Sequence, residues 1–566
     1  MNNFRRVFSP FAAVFLLAGC GQETSPEPSD AGEAVEIAAD GPAFPIASIN
    51  EATLRERIAT LASDEFGGRA PATQSGEKTR QYLIDQMKAI GLQPANNGSF
   101  EQNVPLIELT AEPNESSFSV NGTPLVYGDD IVFWTKRVVD SVSIDDSDMV
   151  FVGYGVVAPE YGWNDYEGLD VEGKTVVMLV NDPGFATEDP DLFKGRSMTY
   201  YGRWTYKYEE AARQGAAAAI VIHQTDPASY GWGVVQGGWT GPQLDLKRAN
   251  GAADRVAIEA WIQERVAQEL FANAGLNFDE LHEAAAKPGF KPVEMSGLRA
   301  SGAIENQIRE SESANVAGVL PGAERPDEYI LYMAHWDHLG RNFSAASDSI
   351  SNGAVDNATG TAAILSIAEA FSQNETPPER SLLFIGVTAE ESGLLGSAYF
   401  AEDPFVPLAN IVGGVNVDAL LPTPPAKDLV VIGNGASELE DLLKAAADKR
   451  DLYLRPDSNP QAGYFYRSDH ISLAKRGVPM LYAKNGVDLI EGGEEAGQAF
   501  EAEYRADRYH KPADEYQDDW DMRSVLQTFD ILYDVGAAMA YSDEWPNWYD
   551  GNEFRGLRDE QRAAFE

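Results

Sequence analysis

The chain has 566 residues, 44% of them apolar, 10% aromatic and 23% charged, a profile that excludes wholesale disorder and at this length requires more than one domain. Asp and Glu outnumber Lys and Arg by 89 to 43, a formal charge of −46, which repels nucleic-acid backbones and anionic lipid surfaces and excludes both as expected partners. A single Cys excludes an internal disulfide framework and a Cys-rich zinc site, so a metal would have to be held by His, Asp and Glu.

In chain order, Arg5 and Arg6 precede a short apolar run from Val7 to Leu17, the pattern of a secretory signal and too short for a comfortable membrane span. Leu17-Ala18-Gly19-Cys20 resembles the bacterial lipobox, in which the Cys is lipidated and becomes the mature N-terminus. The alternative is an ordinary signal peptide with an incidental Cys. Residues 1–20 are thus expected to be a lipoprotein signal peptide and 21–45 a flexible tether, rich in Pro, Glu, Ser and Asp. The expected location is the bacterial cell envelope, with the chain lipid-anchored through Cys20, facing the periplasm or exterior, and touching the membrane only through that lipid.

Short apolar runs at Met149 to Gly153, Thr175 to Val180 and Ala218 to Ile222 lie in a stretch dense in Gly, Tyr and Trp, which reads as a separate β-rich domain. A second series follows at Tyr329 to Ala334, Leu382 to Val387, Ile411 to Val417, Leu429 to Ile432 and Val478 to Tyr482, alternating with helical patterns. One of these, from about Thr359 to Phe371, presents Ile364, Ile367, Ala368 and Phe371 on one face. The alternation predicts an α/β fold with a mostly parallel or mixed central sheet flanked by helices.

The residues suited to chemistry follow the second series directly, where ligands of open α/β sheets gather. His335-Trp336-Asp337 follows the first run, Glu390 and Glu391 the second and Asp418 the third, with the Gly-bounded segment Gly353 to Gly360 opening the helix. His510 lies in the turn-like Tyr509-His510-Lys511-Pro512-Ala513-Asp514. Singly, each has an ordinary structural explanation: a bonded surface His, a solvated acidic pair, a helix cap. Together, two His and several carboxylates at successive strand exits supply the N and O donors that zinc takes when Cys is absent.

In order and spacing, His335-x-Asp337, Asp356-Asn357-Ala358-x-Gly360, Glu390-Glu391, Asp418 and the late His510 resemble the co-catalytic di-zinc aminopeptidases of peptidase clan MH. That group also holds glutamate carboxypeptidase, glutaminyl cyclase and the catalytically inert transferrin receptor. Leu61-Ala62-Ser63-Asp64-Glu65-Phe66-Gly67-Gly68-Arg69 is similar to its N-terminal helix and turn, and Ser468-Asp469-His470 with Gly477-Val478-Pro479 to its late strand region. Gly153-Tyr154-Gly155 and Asn181-Asp182-Pro183 resemble marks of a protease-associated domain. The implied layout is a phosphorylase/hydrolase-like zinc exopeptidase domain in two parts, residues 46–120 and 296–545, interrupted by a protease-associated domain over 121–295 and followed by a tail over 546–566.

The resemblance implies two zinc ions per chain bridged by Asp356, with His335 and Glu391 completing one site and Asp418 and His510 the other. It implies Glu390 as general base, Asp337 as the carboxylate that fixes the His335 ring, and a cis peptide between Asp356 and Asn357. His338 and His470 have no implied ligand role and are expected to support or pack; Tyr464, Tyr466 and Arg467 are expected to line the pocket. The implied activity is removal of N-terminal residues from peptide substrates. A one-zinc glutaminyl cyclase and an inert receptor-like protein are the alternatives; the first sits poorly with five ligands, and the second would need ligands lost.

Overall fold

The computed structural model describes residues 49–239, 241–342 and 348–565. The expected signal peptide, Cys20 and the tether lie outside them. Among the described residues no helix is long and apolar enough to cross a membrane.

The chain enters through two helices, α1 (Glu51–Leu61) and α2 (Gln74–Ile90). Each starts where a side chain satisfies an otherwise unpaired amide: Asn50 accepts the N–H of Thr53 at 3.1 Å, and Thr73 that of Gly76 at 3.3 Å. α2 stops at Gly91, whose φ of +95° suits a residue without Cβ. Leu54, Ile58, Leu83 and Met87 bury the inner faces of the pair against the central sheet.

That sheet uses β1 (Glu101–Ala111), β2 (Val293–Leu320), β3 (Arg325–His335), β4 (Arg380–Val387), β5 (Ile411–Asn416) and β6 (Met480–Asn485). Laterally the core runs β2-β4-β3-β5-β6. The last four of these strands are parallel, β2 is antiparallel to β4, and Asp428–Val431 is antiparallel to β6. Every residue of β4 and β5 is buried, which is why Leu382 to Val387 and Ile411 to Val415 read as unbroken apolar runs: helices cover both faces of the sheet. In β3 the alternation is resolved, with Ile330, Tyr332 and Ala334 facing α3 (Gly360–Ser372) and α4 (Arg523–Ala540). Leu331 and Met333 face the opposite layer, with Phe400 and Leu473. Tyr332 stacks on Phe384 and donates its hydroxyl to the Leu532 carbonyl at 2.8 Å, so its polar tip is satisfied inside the core. The mixed α/β architecture read from the sequence is the one observed.

The segment between β1 and β2 builds its own sheet. Ser141–Phe151, Thr175–Leu179, Ala218–His223 and Ile258–Gln263 pair in parallel, and Ile131–Trp134 adds an antiparallel edge. Helices Trp204–Arg213 and Glu264–Asn273 pack on it, and two hydrophobic clusters here draw their buried members from residues 118–304 alone. β2 belongs to both parts. Its first residues pair with Ser141–Phe151, residues 306–316 pair with β1, and residues 316–320 reach β4. A second junction joins residues 198–209 to residues 460–475, where Lys475 lies 3.2 Å from Glu209 and 4.8 Å above the Tyr200 ring, and Met198 donates its amide to the Pro460 carbonyl.

Candidate metal centre

Parallel neighbours with aligned ends are what assemble the site. His335 closes β3 opposite Val387 of β4, and Met333 lies opposite Asn416 of β5, so residues just past β4 and β5 emerge around the His335 ring. Asp356 comes from the turn ahead of α3. At Gly353, φ +60°, an added Cβ would fall 2.3 Å from the Asp356 carbonyl and 2.6 Å from the His338 ring, so only glycine lets the turn close. The Asp356-Asn357 peptide is cis. Asn357 then ties the turn to the β5 exit, donating to the Val417 carbonyl at 3.0 Å and accepting the amide of Ala419 at 3.1 Å.

Four distances define the centre. His335 Nε2 lies 3.3 Å from Asp356 Oδ1 and 3.5 Å from Asp418 Oδ1, while His510 Nε2 lies 3.2 Å from Asp356 Oδ2 and 3.1 Å from Glu391 Oε2. These are long for charged N–H···O bonds, which run about 2.7–2.9 Å. They match two donors each about 2.0–2.1 Å from one ion at a tetrahedral angle, which sit about 3.3 Å apart. The residues therefore fit two metal ions, with Asp356 presenting one oxygen to each His.

The partition differs from the one implied by the resemblance. In the structure His335 Nε2 stands beside Asp418 and His510 Nε2 beside Glu391, whereas the resemblance grouped His335 with Glu391. Asp418 lies two residues past β5 and stands beside His335, whereas Glu391 lies four residues past β4 and its Oε2 reaches His510. Asp337 also departs from its expected contact. The His335 Nδ1 faces the Asp337 carbonyl at 3.2 Å, and the Asp337 carboxylate, 3.9 Å away, accepts the Glu390 amide at 3.1 Å. Asp337 thus holds the Glu390 backbone, while a main-chain oxygen orients the ring.

Electrostatics separates the acids. Burial raises Glu390 well above the usual carboxylate range, with Glu391, Asp469 and Asp418 adding to it against the pull of His335. Burial also opposes ionisation of Glu391, but His338 and His510 hold it down to about 2, and the same kind of pull from His335 and His510 keeps Asp356 well below its ordinary value. Burial would keep His335 neutral, yet Glu390, Asp356 and Asp418 raise it well above its usual value. Asp418 is oriented by the Ser468 hydroxyl, which donates to Oδ2 at 2.6 Å, leaving Oδ1 toward His335.

His338, expected to support or pack, and Asp514, which sequence reasoning overlooked, both reach the centre. His338 Nδ1 lies 2.6 Å from Glu391 Oε1. Asp514 accepts the amides of Val355 and Asp356; its place four residues after His510 was the available signal. Of the expected pocket residues, Tyr466 instead packs the junction, its hydroxyl donating to Glu553 at 2.8 Å. Arg467 lies 5.6 Å from the rings of both Tyr230 and Tyr464. Its Nε and Nη2, and the Nε of nearby Arg203, are buried and meet no acceptor among the described residues. His470 packs between Phe465 and Tyr482, and burial pushes it down to about 3.

Residues 315–535 match the sequence model of Peptidase family M28. The chain is similar to Aminopeptidase NAALADL1 of Mus musculus, 33% identical over 138 residues, 23% of this chain and 17% of that protein. It is similar also to the Glutamate carboxypeptidase 2 homolog of Caenorhabditis elegans, 31% identical over 217 residues, 38% of this chain and 21% of that protein. The matched portion thus spans about a fifth of the length of these curated relatives. Among solved structures it resembles an aminopeptidase from Aneurinibacillus sp. strain AM-1, TM-score 0.48 at 20% identity over 88% of this chain and 95% of that one. Another is BSAP, a zinc aminopeptidase from Bacillus subtilis, TM-score 0.43 at 15% identity over 90% and 100%. The strands and loops that gather His335, Asp356, Glu391, Asp418 and His510 all fall within the residues that match the Peptidase family M28 model.

Proposed function

We propose that the chain is a two-zinc exopeptidase that removes N-terminal residues from peptides. The observation that carries this reading is the spacing of Asp356 against both His335 and His510, a shared carboxylate between two imidazoles at the separation of co-ligands. His335 with Asp418 would hold one ion and His510 with Glu391 the other. Bound there, zinc supplies Lewis acidity, lowering the pKa of water and polarising the scissile carbonyl.

The chain's own residues do the rest. Glu390, raised in proton affinity and fixed by the Asp337 contact to its amide, takes a proton from the attacking water and returns it to the leaving amine. Glu391 and Asp418 stay ionised as ligands, each with its second oxygen held by a hydrogen-bond partner, His338 and Ser468. Beyond the centre, the unpaired N–H groups of Arg203 and Arg467 fit a carboxylate further along a short peptide, and Tyr230 and Tyr464 give that chain an aromatic wall. Residues 121–295 are read as an inserted protease-associated domain walling this side of the cleft, and the chain as lipid-anchored through Cys20.

Zinc analysis of the purified chain, with amino-acid release from free and N-acetylated peptides, tests the reading. Two zinc ions per chain and release from free N-termini only is the expected result; no zinc, or cleavage blind to N-acetylation, overturns it.

A further inference from the structure

His338 has no part in the reading above beyond its contact with Glu391, yet its surroundings are those of a built feature. The side chain is fully buried. Its ring sits against Gly353, where a methyl group would come within 2.6 Å of it, and its own amide faces the Arg69 carbonyl, so neither the ring nor its backbone has room to turn away. Nδ1 lies 2.6 Å from Glu391 Oε1, and Nε2 is buried with no hydrogen-bond partner among the described residues.

Two roles are chemically open to such a ring. Together with Asp356 and Glu391 it forms a set of three donors close enough to share an ion, so it could be a sixth ligand. The distances decide against this. His335 and His510 stand 3.1–3.5 Å from their carboxylate oxygens, the spacing of donors on one ion, whereas 2.6 Å is a charge-assisted hydrogen bond and too close for two ligands at a tetrahedral angle. The acceptor is a carboxylate, so the proton must be on Nδ1. Glu391 therefore has its two oxygens assigned to different tasks, Oε1 to His338 and Oε2 toward His510.

Resting on the two-zinc reading, we propose that His338 is a positioning residue that donates Nδ1–H to Glu391 and locks it as a one-oxygen ligand of the His510 ion. The arrangement turns the usual carboxylate-to-histidine support of a metal site around: here an imidazole supports a metal-binding carboxylate. The free oxygen of Glu391 cannot swing onto the ion, nor toward Glu390, the adjacent base.

The test compares wild type with His338→Ala and His338→Asn, in which the Asn amide can replace the Nδ1–H donor. Zinc affinity is measured by competition with a chromophoric chelator, and imidazole ligands per metal by X-ray absorption. His338→Ala is expected to weaken one of the two zinc ions by about 10- to 100-fold and leave the other unchanged. The imidazole count should stay at one per metal, and His338→Asn should recover most of the lost affinity. Affinities within threefold of wild type in a folded His338→Ala protein overturn the proposal. Loss of one imidazole, with no recovery in His338→Asn, overturns it in favour of a direct ligand. Should His338→Ala not fold, His338→Asn decides alone by its imidazole count and affinity. A wild-type chain that takes up no zinc overturns the two-zinc reading itself, and this proposal falls with it.

Discussion

Asp514, fully buried, accepts the backbone N–H of Asp356 at 3.1 Å through one carboxylate oxygen while the other takes that of Val355 at 3.0 Å. The loop that carries His510 therefore also holds the turn that carries the shared carboxylate. Asp514→Ala leaves two buried amides unpaired, at about 1–3 kcal/mol each. Chelator competition on this variant should show both zinc ions weakened, together with a lower thermal midpoint. Weakening of only one ion would show that the clamp does not govern Asp356.

Neighbouring glutamates should fail in different ways. Glu390→Gln keeps the size and the amide held by Asp337, so both metals should remain while kcat falls by about 10²-fold or more. Glu391→Gln gives up a charged donor and should lose metal first. Equal zinc loss in the two variants, read by elemental analysis, would defeat the division of roles.

Arg203 and Arg467 are like charges sharing a buried junction. Burial lowers Arg203 to about 9, and Arg467 adds to the effect, so its charge is a standing cost in the free protein. Arg467→Ala should raise KM by about 10-fold for short peptides with a free C-terminus, the equivalent of one charged hydrogen bond, and much less for their C-terminal amides. Arg203→Met should raise the thermal midpoint of the free protein, since it removes a buried charge that has no carboxylate partner. A fall in midpoint would show the guanidinium to be a net stabiliser.

Asp245 offers a pH test remote from the centre. Burial opposes its ionisation, but Lys136 at 2.9 Å and Arg248 at 3.1 Å hold it at about 2. Its folded pKa lies below its unfolded one, so this contribution is present above about pH 4 and lost as the pH falls toward 2. Asp245→Asn should cost about 2 kcal/mol in urea unfolding at pH 7, with the gap closing near pH 2. A gap independent of pH would assign the loss to packing.

Cys20→Ala should move the expressed protein from the membrane fraction to the soluble fraction with activity intact. A variant that still sediments with membranes counts against the lipid anchor.

What could be read from the chain depended on how local the cause was. β4 and β5 announce themselves through the apolar runs Leu382 to Val387 and Ile411 to Val415, and the donors were visible because each follows a strand or stands beside a Gly or Pro turn. Which carboxylate stands beside which His was not visible, because it follows from how far past each strand end the side chain lies in space, which no spacing encodes. His338 was named only as a supporting residue; next to Asp337 in sequence, it meets Glu391, 53 positions away, because the two strand exits meet. Arg203 and Arg467 are a junction property, formed by segments more than 250 residues apart.

The 28-residue β2 strand sets the mechanics of the molecule. Pairings made along this one strand run from the sheet of the inserted segment, where the register shifts twice, through β1 to β4, whose end leads to Glu390 and Glu391. A continuous strand passes displacement from one part to the other, so a movement between them would bend β2 at its register shifts and shear the Glu209 and Lys475 contact at the other junction. Amides of β4, buried along its length and paired on both edges, should exchange with deuterium more slowly than those of residues 306–312 in β2.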